Sequence, residues 1–428
     1  MMAVGPGELW LTEFFRNRWW VVFASICGLL VGAGPVNVFA FAVFLKPVTE
    51  SLGVGREPFS SGLIVGSTIA GIGLIPLGFL LDHYRVRRIM MPGLVLYAAG
   101  VMGYALMTPS LLHIYLAFAI AALFGPIGSP LPYGAVLSRW FDRQRGLAIG
   151  IAMAGVGLGV ALVPQIAAVL IHLLSWRLAY IVLGGVILLV AWVPVTLFVR
   201  EPSERDAAAH ADVAVERDLP GLTLSEVLFG SWRFWALTVA FFTAIAAING
   251  TLTHIVALLT DRGVPLKEAV STLSGVGIAL ILGRVLSGWC LDRVNGVVVA
   301  IVFFLMPMTG IALLASGLRG AASFIGAALC GIGVGAEVDL MAFFVGRYFG
   351  LRAYARIYGV MFAAFALANG IGPSIAGWSF DRFHSYRPAF AIFEAMLALT
   401  CLLLAPLGRY PYPARKQAAE TPMQTASV

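Results

Sequence analysis

The stretch Gly78-Phe-Leu-Leu-Asp82 decides the fold, because it returns 210 residues later as Gly288-Trp-Cys-Leu-Asp292. Two further stretches repeat in the same order: Ser175–Tyr180 returns as Ser385–Phe390 with the same offset of 210, and Ser138–Phe141 returns as Gly346–Phe349 with an offset of 208. Three matches at nearly one offset indicate a duplicated chain. We therefore predict two halves that share one topology.

The composition places these halves in a membrane. Of 428 residues, 60% are hydrophobic and 11% are charged, whereas soluble domains carry about 25% charged residues. This excludes an ordinary soluble protein, a disordered chain and a coiled coil. The net charge of +7 comes from cations scattered among short loops, which argues against a nucleic-acid-binding face. Four cysteines lie in apolar runs, so we interpret them as buried hydrophobic residues rather than disulfide or metal ligands: Cys27, Cys290, Cys330 and Cys401.

Twelve apolar runs are long enough to cross a bilayer, which takes about 20 helical residues. These predicted spans are 19–44, 57–81, 89–108, 112–137, 146–172, 178–199, 233–259, 268–291, 297–316, 320–345, 354–379 and 387–408. A polar linker, 200–232, separates six spans from six. We therefore predict an all-α membrane protein of two repeated six-helix bundles, 19–199 and 233–408.

The segments outside the bundles have their own signatures. Residues 1–18 form a short N-terminal segment, and residues 409–428 are polar and predicted to be a disordered tail. Glu8–Phe15 and Leu222–Phe229 combine acids with Leu, Trp and Phe, which is typical of helices that lie on a membrane surface.

Lysine and arginine are unevenly distributed between alternate loops. If the N-terminus is cytoplasmic, the cytoplasmic side carries 19 of the 28 cations and the opposite side carries 8, while Arg284 lies within a span. Cytoplasmic loops of membrane proteins carry the excess of positive charge. We therefore predict a multi-pass protein of the plasma (inner) membrane with both termini in the cytoplasm.

The loop from Gly78 to Arg88 resembles the conserved loop motif of the major facilitator superfamily, and its second copy, Gly288–Arg293, lacks the later arginines. Gly78 would let a neighbouring helix approach, Asp82 would cap a helix end, and Arg85 and Arg88 would hold the cytoplasmic face. Two functions remain open for this loop. It either only sets the topology, or it is a charge latch between the halves that breaks during opening.

A second stretch narrows the resemblance. Arg139–Gly159 is similar to the fifth-span signature of the monocarboxylate porter and oxalate/formate antiporter-like families, and Val43–Lys46 is similar to the end of their first span. This resemblance implies transport of small organic anions, commonly with protons. The glycines of spans 5 and 10 are not a nucleotide-binding motif, because they lie inside apolar helices, where small residues allow close packing.

Charge inside the membrane marks the candidate site. Away from loops and span ends, four charged residues remain: Arg284, Glu337, Asp339 and Glu394. Each costs about 2.5 to 3.5 kcal/mol at a helix centre, so each needs a partner, water or a function. Arg284 lies near mid-bilayer and forms either a structural ion pair or a bond to a substrate carboxylate. The resemblance favours the second, since monocarboxylate porters carry an arginine in span 8, although Leu280 stands where many of them have an acid.

Glu337 and Asp339 lie in span 10 at a depth similar to that of Arg284. They either hold Arg284 in a fixed pair or carry a coupled proton. Residues at i and i+2 face different ways on a helix, so we expect only one of them to point into the cavity. Glu394 in span 12 is interpreted as peripheral.

Polar residues in other spans could complete a pocket. We select Asn37, Tyr133 and Asn249 as candidates for substrate binding, and Asn37 and Asn249 are related by the repeat at an offset of 212. Further polar positions are Gln165, His254 and Asn369, of which His254 lies near the outer end of span 7 and could line an entrance. Each could instead form a hydrogen bond between helices. Animal members of the family often carry a lysine in span 1 near Asn37, and this chain has none there.

These features predict a secondary active transporter that carries a small monocarboxylate, such as lactate or pyruvate, with a proton by alternating access. The alternatives are an exchanger of other organic anions, such as oxalate or formate, and an exporter of amphipathic compounds. An intramembrane enzyme or an ATP-driven pump is not favoured, because HExxH, GxSxG and GxxxxGK[ST] motifs are absent from the sequence. We expect no cofactor, a small organic anion and a proton as partners, a lipid bilayer around the chain, and function as a monomer.

Overall fold

The computed structural model describes residues 17–141, 144–200 and 221–412. Within these ranges all regular secondary structure is helical, apart from one bridge between Gly221 and Gly350. In the described part of the chain, twelve helical segments are long and apolar enough to cross a membrane: Trp19–Phe39, Arg56–Leu81, Val86–Leu106, Leu111–Trp140, Gly146–Leu173, Trp176–Phe198, Trp232–Asp261, Leu266–Leu291, Gly296–Ala315, Ala321–Phe349, Arg356–Phe383 and Arg387–Leu407. These are spans 1 to 12 below, and the predicted architecture is confirmed.

Several helices extend beyond the predicted apolar runs. After its first helix, Trp19–Leu30, span 1 passes through a π-helical turn, Gly34–Phe39, into a further helix, Phe41–Leu52. That helix ends at Gly53, whose φ of 65° is left-handed and suits glycine. The helix of span 11, Tyr354–Phe383, likewise runs past the predicted end at 379. Hydropathy finds the apolar part of a span, whereas the helix continues through polar residues until its backbone turns.

Span 4 consists of two helices rather than one. Leu111–Phe124 and Pro130–Trp140 are joined by a 3-10 turn, Gly125–Gly128. The hydroxyl of Ser129 then accepts the backbone N–H of Leu131 at 3.4 Å and caps the second helix. The local sequence Gly-Pro-Ile-Gly-Ser-Pro explains the break, because proline lacks an amide hydrogen and starts helices better than it continues them. Hydropathy does not detect such a break.

Buried side chains fall into two clusters, each drawn mainly from one half of the chain. The first is centred on residues such as Phe44, Tyr97 and Tyr133, and the second on residues such as Phe241 and Phe344, all of them fully or almost fully buried. Each half therefore packs around its own core.

Part of the predicted surface helix before span 7 is observed as Leu224–Gly230. It begins with a capping box in which Thr223 and Glu226 each bond to the other's backbone N–H, at 3.4 and 2.7 Å. The predicted helix at Glu8–Phe15, most of the linker and the predicted tail after residue 412 lie outside the described residues.

Each half contains an even number of spans, so the two ends of each half lie on the same side of the molecule. We call this side the linker face; it carries Trp19, Phe198, Trp232 and Leu407. The opposite side, which carries the connections after spans 1 and 7, is the distal face.

Spans 2 and 11 form the first contact between the halves. Gly370 lies so close to the backbone of Ile64 that a Cβ would overlap it, and Gly71, seven residues after Ile64, lies opposite Ala366. Gly78 is the next position on that face of span 2, and nothing lies within 4 Å of the place where its Cβ would be. The two helices therefore separate toward the linker face.

Spans 5 and 8 form the second contact and repeat this arrangement. Gly157 packs against Gly277 and Ile281, without room for a side chain. Seven residues nearer the linker face, Gly150 faces open space, as does Gly288 on span 8. The seam between the halves is thus closed at its distal end and open at its linker end.

Candidate functional site

Spans 8 and 10 pack with their backbones in contact. Gly283 lies against the backbone of Ile332, and Gly335 lies against the backbones of Leu280 and Arg284. A Cβ at either glycine would overlap the neighbouring helix, so these small residues fix the distance between the two spans. This packing places Arg284 beside the acids of span 10.

Arg284 and Asp339 form a loose ion pair. The Nε atom of Arg284 lies 3.4 Å from Oδ2 of Asp339 and 3.5 Å from the carbonyl oxygen of Gly335, and the two side chains are 23% and 38% exposed. Both distances are near the upper limit for a hydrogen bond. Among the residues that the structure describes, no group accepts a hydrogen bond from the two terminal nitrogens of Arg284. The guanidinium therefore keeps donors with which it can bind a further carboxylate.

Glu337 has a different environment from Asp339. It is 3% exposed, and its Oε2 atom is buried without a hydrogen-bond partner in the described part of the chain. Glu337 lies two residues after Gly335, which packs against the backbone of Arg284. Of the two acids, only Asp339 is accessible.

The other polar candidates of the second half are engaged in hydrogen bonds between spans. Asn249 donates to the side-chain oxygen of Asn369 at 2.6 Å, and Asn369 donates to the carbonyl of Phe365 at 3.1 Å. Gln165 of the first half donates to the hydroxyl of Ser274 at 3.0 Å, across the seam. In this conformation these amides hold helices together.

Asn37 and Tyr133 belong to the first half and form no described hydrogen bond with Arg284. Tyr133 is fully buried against Gly28, and Asn37 lies in the π-helical turn of span 1. The Tyr133 hydroxyl and Oδ1 of Asn37 are buried without a hydrogen-bond partner among the described residues. The structure thus brings Arg284, Asp339 and Glu337 together and leaves Asn37, Tyr133 and Asn249 outside that group.

The basic loop after span 2 lies on the linker face. Arg87 donates to the carbonyl of Thr196 at 2.6 Å, and Arg139 donates to the carbonyl of Leu81 at 2.7 Å, so both bonds stay within the first half. Arg85 and Arg88 are exposed, and the side chain of Asp82 lies outside the described atoms. Gly78 faces open space, so no neighbouring helix approaches it in this conformation.

The sequence analysis missed a polar group at the distal end of the seam. We call it the distal cluster; its members are Lys46, Arg56, Ser60, His254, Asp261, Asp381 and Tyr386. The charged members lie at span ends, where the sequence analysis counted the cations only for topology and set the acids aside. His254, predicted near an entrance, is 2% exposed. Knowledge of which span ends meet across the seam would have been needed to find the cluster.

The sequence model of the Major Facilitator Superfamily matches residues 25–368, most of the chain. The chain belongs to this superfamily. It is therefore a transporter of small molecules rather than an enzyme, and the predicted family and fold are confirmed.

Similar proteins include two kinds of superfamily member. "Uncharacterized MFS-type transporter YcxA" of Bacillus subtilis is 24% identical over 401 residues, which cover 91% of this chain and 94% of that protein. Bovine "Monocarboxylate transporter 13" is 29% identical over 309 residues, 71% of this chain and 65% of that protein, so the chain spans about two thirds of its length. Rat "Monocarboxylate transporter 12" is 24% identical over 344 residues, 74% of this chain and 70% of that protein.

Solved structures of other superfamily members share the fold. A mutant of the nucleoside transporter NupG matches with a TM-score of 0.72 at 12% identity, over 92% of this chain and 100% of that one. A bacterial homologue of the human lysosomal transporter Spinster, in an inward-facing and occupied conformation, matches with a TM-score of 0.64 at 16% identity, over 94% of this chain and 96% of that one.

Proposed function

We propose that this transporter carries a small monocarboxylate, such as lactate or pyruvate, together with a proton. The observation that carries the proposal is the ion pair of Arg284, which joins Asp339 at 3.4 Å inside a membrane span and leaves both groups partly exposed. A charge in this position is costly unless it has a partner or a function. Arg284 has a loose partner and a partly exposed side chain, as a binding group needs.

Arg284 binds the substrate carboxylate in this proposal. The planar guanidinium matches two carboxylate oxygens, and its terminal nitrogens are not bonded to other described residues. The position supports alternating access, because Ile281, one turn toward the distal face, packs against Gly157, whereas Gly288, one turn toward the linker face, faces open space. Arg284 therefore stands where the closed part of the seam ends.

Asp339 or Glu337 carries the proton. When the anion occupies Arg284, the acid paired with the guanidinium loses its cation, and an unpaired carboxylate in low dielectric is costly. Binding a proton removes that cost. The cycle then moves one anion and one proton, with no net charge and with no lysine required in span 1.

The remaining parts of the proposal concern the whole molecule. The excess of cations supports a cytoplasmic location for the linker face and both termini, in the plasma (inner) membrane. The loop with Gly78, Asp82, Arg85 and Arg88 closes the cytoplasmic side during the cycle. Asn37, Tyr133 and Asn249 contact the substrate only in conformations other than this one. The names of the mammalian relatives support the substrate class.

Uptake into proteoliposomes tests the function. Labelled lactate, pyruvate and oxalate are offered with and without an inward proton gradient. We expect lactate or pyruvate to accumulate only with the gradient. Uptake that instead requires an organic anion inside the vesicles, and ignores the proton gradient, would identify an exchanger.

A further inference from the structure

The distal cluster joins the two halves through one shared carboxylate. Asp261, at the end of span 7, accepts hydrogen bonds from Nζ of Lys46 at 2.8 Å and from the two terminal nitrogens of Arg56 at 2.6 and 3.2 Å. Lys46 and Arg56 belong to the first half and Asp261 to the second. Two cations of one half are therefore held by one acid of the other.

A second acid crosses the seam in a different way. The carboxylate of Asp381, in span 11, accepts the backbone N–H groups of Arg56 and Glu57 at 3.0 and 2.8 Å. These N–H groups belong to the first turn of span 2, where a helix has no internal acceptors for them. A residue of the second half thus caps a helix of the first half, and the cap is lost if the halves separate.

Buried groups extend the cluster behind these charges. The Arg56 guanidinium lies 3.5 Å above the ring of Phe380 and donates to the hydroxyl of Tyr386. The ring nitrogens of His254 lie 3.0 Å from the hydroxyl of Ser60 and 3.2 Å from that of Tyr386. Arg56 is 8% exposed, and Ser60 and His254 are buried. Water therefore does not replace these bonds while the distal end stays closed.

Lys46 has a second acid within reach on its own half. Glu50 follows it by one helical turn, is exposed and has no ion-pair partner among the described residues. Both side chains line a cavity of about 220 Å³ beside Thr260 and Leu266. Residues at i and i+4 are neighbours on a helix surface. Lys46 can thus exchange Asp261 for Glu50 without leaving its helix.

We propose that the distal cluster is the latch of the distal gate, with Asp261 as its shared acceptor. When the molecule opens on the distal face, Lys46 and Arg56 leave Asp261, Asp381 uncaps span 2, and Lys46 passes to Glu50. The exchange of partners spares Lys46 an unpaired charge in the open state. This proposal concerns opening and closing, and it holds whatever the transported molecule is.

Distances between spin labels on the distal face test the latch. Labels at Leu174 and Leu318, which are exposed on opposite halves, are introduced into a chain whose four cysteines have been replaced. Pulsed electron paramagnetic resonance in lipid nanodiscs measures the distance distribution between the labels. This distribution gives the ratio of distal-open to distal-closed molecules in the absence of substrate. We expect Asp261→Asn to raise this ratio at least tenfold, and Glu50→Gln to lower it.

Matched variants keep the test decisive. Glu268→Gln removes one exposed distal acid that has no part in the cluster, and it should leave the ratio unchanged. If Asp261→Asn does not fold, Lys46→Gln removes one of the bonds to Asp261 at a partly exposed position and should raise the ratio severalfold. The proposal is overturned if the Asp261 or Lys46 variant gives the same ratio as Glu268→Gln. Since no substrate is present, these results are independent of the proposed monocarboxylate.

Discussion

The two ends of the seam between the halves are built differently. At the distal end, helix backbones touch at Gly370 and Gly277, and the distal cluster adds charges that cross from one half to the other. At the linker end, the seam glycines Gly78, Gly150 and Gly288 face open space, and the described bonds of the basic loop stay within the first half. The structure is therefore a state closed at one end and open at the other.

This difference indicates which surface can stabilise the linker end when it closes. The spacing of seven residues puts Ile64, Gly71 and Gly78 on one face of span 2, so the same kind of surface continues past the point where the helices part. A rocking motion can bring Gly78 to a neighbour only by separating Gly370 from Ile64. Each end can then close only at the expense of the other, which is the basis of alternating access.

The largest effect is expected at Arg284, which lies at the boundary between the two ends. Arg284→Ala removes the donors that we propose bind the substrate carboxylate, and each hydrogen bond to a charged group contributes about 1.5 to 3 kcal/mol. Lactate uptake should fall roughly a hundredfold or more, and Arg284→Lys, which lacks the planar fork, should restore little of it. Initial rates in proteoliposomes measure this. Arg319→Ala, an exposed arginine on a distal loop, is the control, and unchanged uptake by Arg284→Ala would refute the role.

The next largest effect is expected at Asp339 and Glu337, the two acids beside Arg284. Asp339→Asn or Glu337→Gln should abolish accumulation driven by a pH gradient, because no proton is then taken up with the anion. Exchange of labelled for unlabelled substrate should remain measurable, since it needs no net proton movement. Glu394→Gln serves as the control in span 12. If both variants still accumulate substrate, the proton binds elsewhere, and His254 is the next residue to test.

Substituting leucine for a seam glycine should have different effects at the two ends of the seam. Gly370→Leu forces a side chain into the backbone of Ile64, and such overpacking costs about 1 to 3 kcal/mol. Gly78→Leu meets open space here, so it should leave the melting temperature unchanged while blocking closure of the linker end and slowing transport. Thermal unfolding in detergent and uptake rates measure the two effects. Equal losses of stability in both variants would contradict an open linker end.

The smallest effect is expected at Asp82 in the basic loop. Asp82→Asn should slow transport severalfold and leave the substrate Kd within about twofold, because we propose that the loop closes the linker end without touching the substrate. Binding measured by calorimetry and exchange rates measured in vesicles distinguish the two. A weaker Kd with an unchanged rate would mean that the loop contributes to binding.

The sequence predicted those features of the structure that depend on local residue patterns. Apolar runs gave the twelve spans, because a membrane helix must satisfy its backbone internally and needs about 20 apolar residues. The depth of Arg284 near mid-bilayer followed from its position along span 8. Breaks such as Gly125–Gly128, and helix extensions such as Phe41–Leu52, were missed because turn chemistry and capping act independently of hydropathy.

Contacts between distant parts of the chain could not be predicted. Whether Asp339 or Glu337 pairs with Arg284 depends on the packing of Gly335 against span 8. The bond of Arg56 to Asp261 joins residues 205 positions apart, and each alone resembles an ordinary charge at a span end. Only the pairing of helix ends across the seam gives these residues a common function.

Coupling of anion to proton is the central claim, and luminal pH tests it most directly. Vesicles with equal pH on both sides receive an inward lactate gradient, and a trapped pH-sensitive dye is recorded together with labelled lactate uptake. We predict that the lumen acidifies by one proton for each lactate that enters, and that Arg284→Ala abolishes both signals. Lactate entry through the wild-type protein without acidification of the vesicle lumen would contradict the proposed symport.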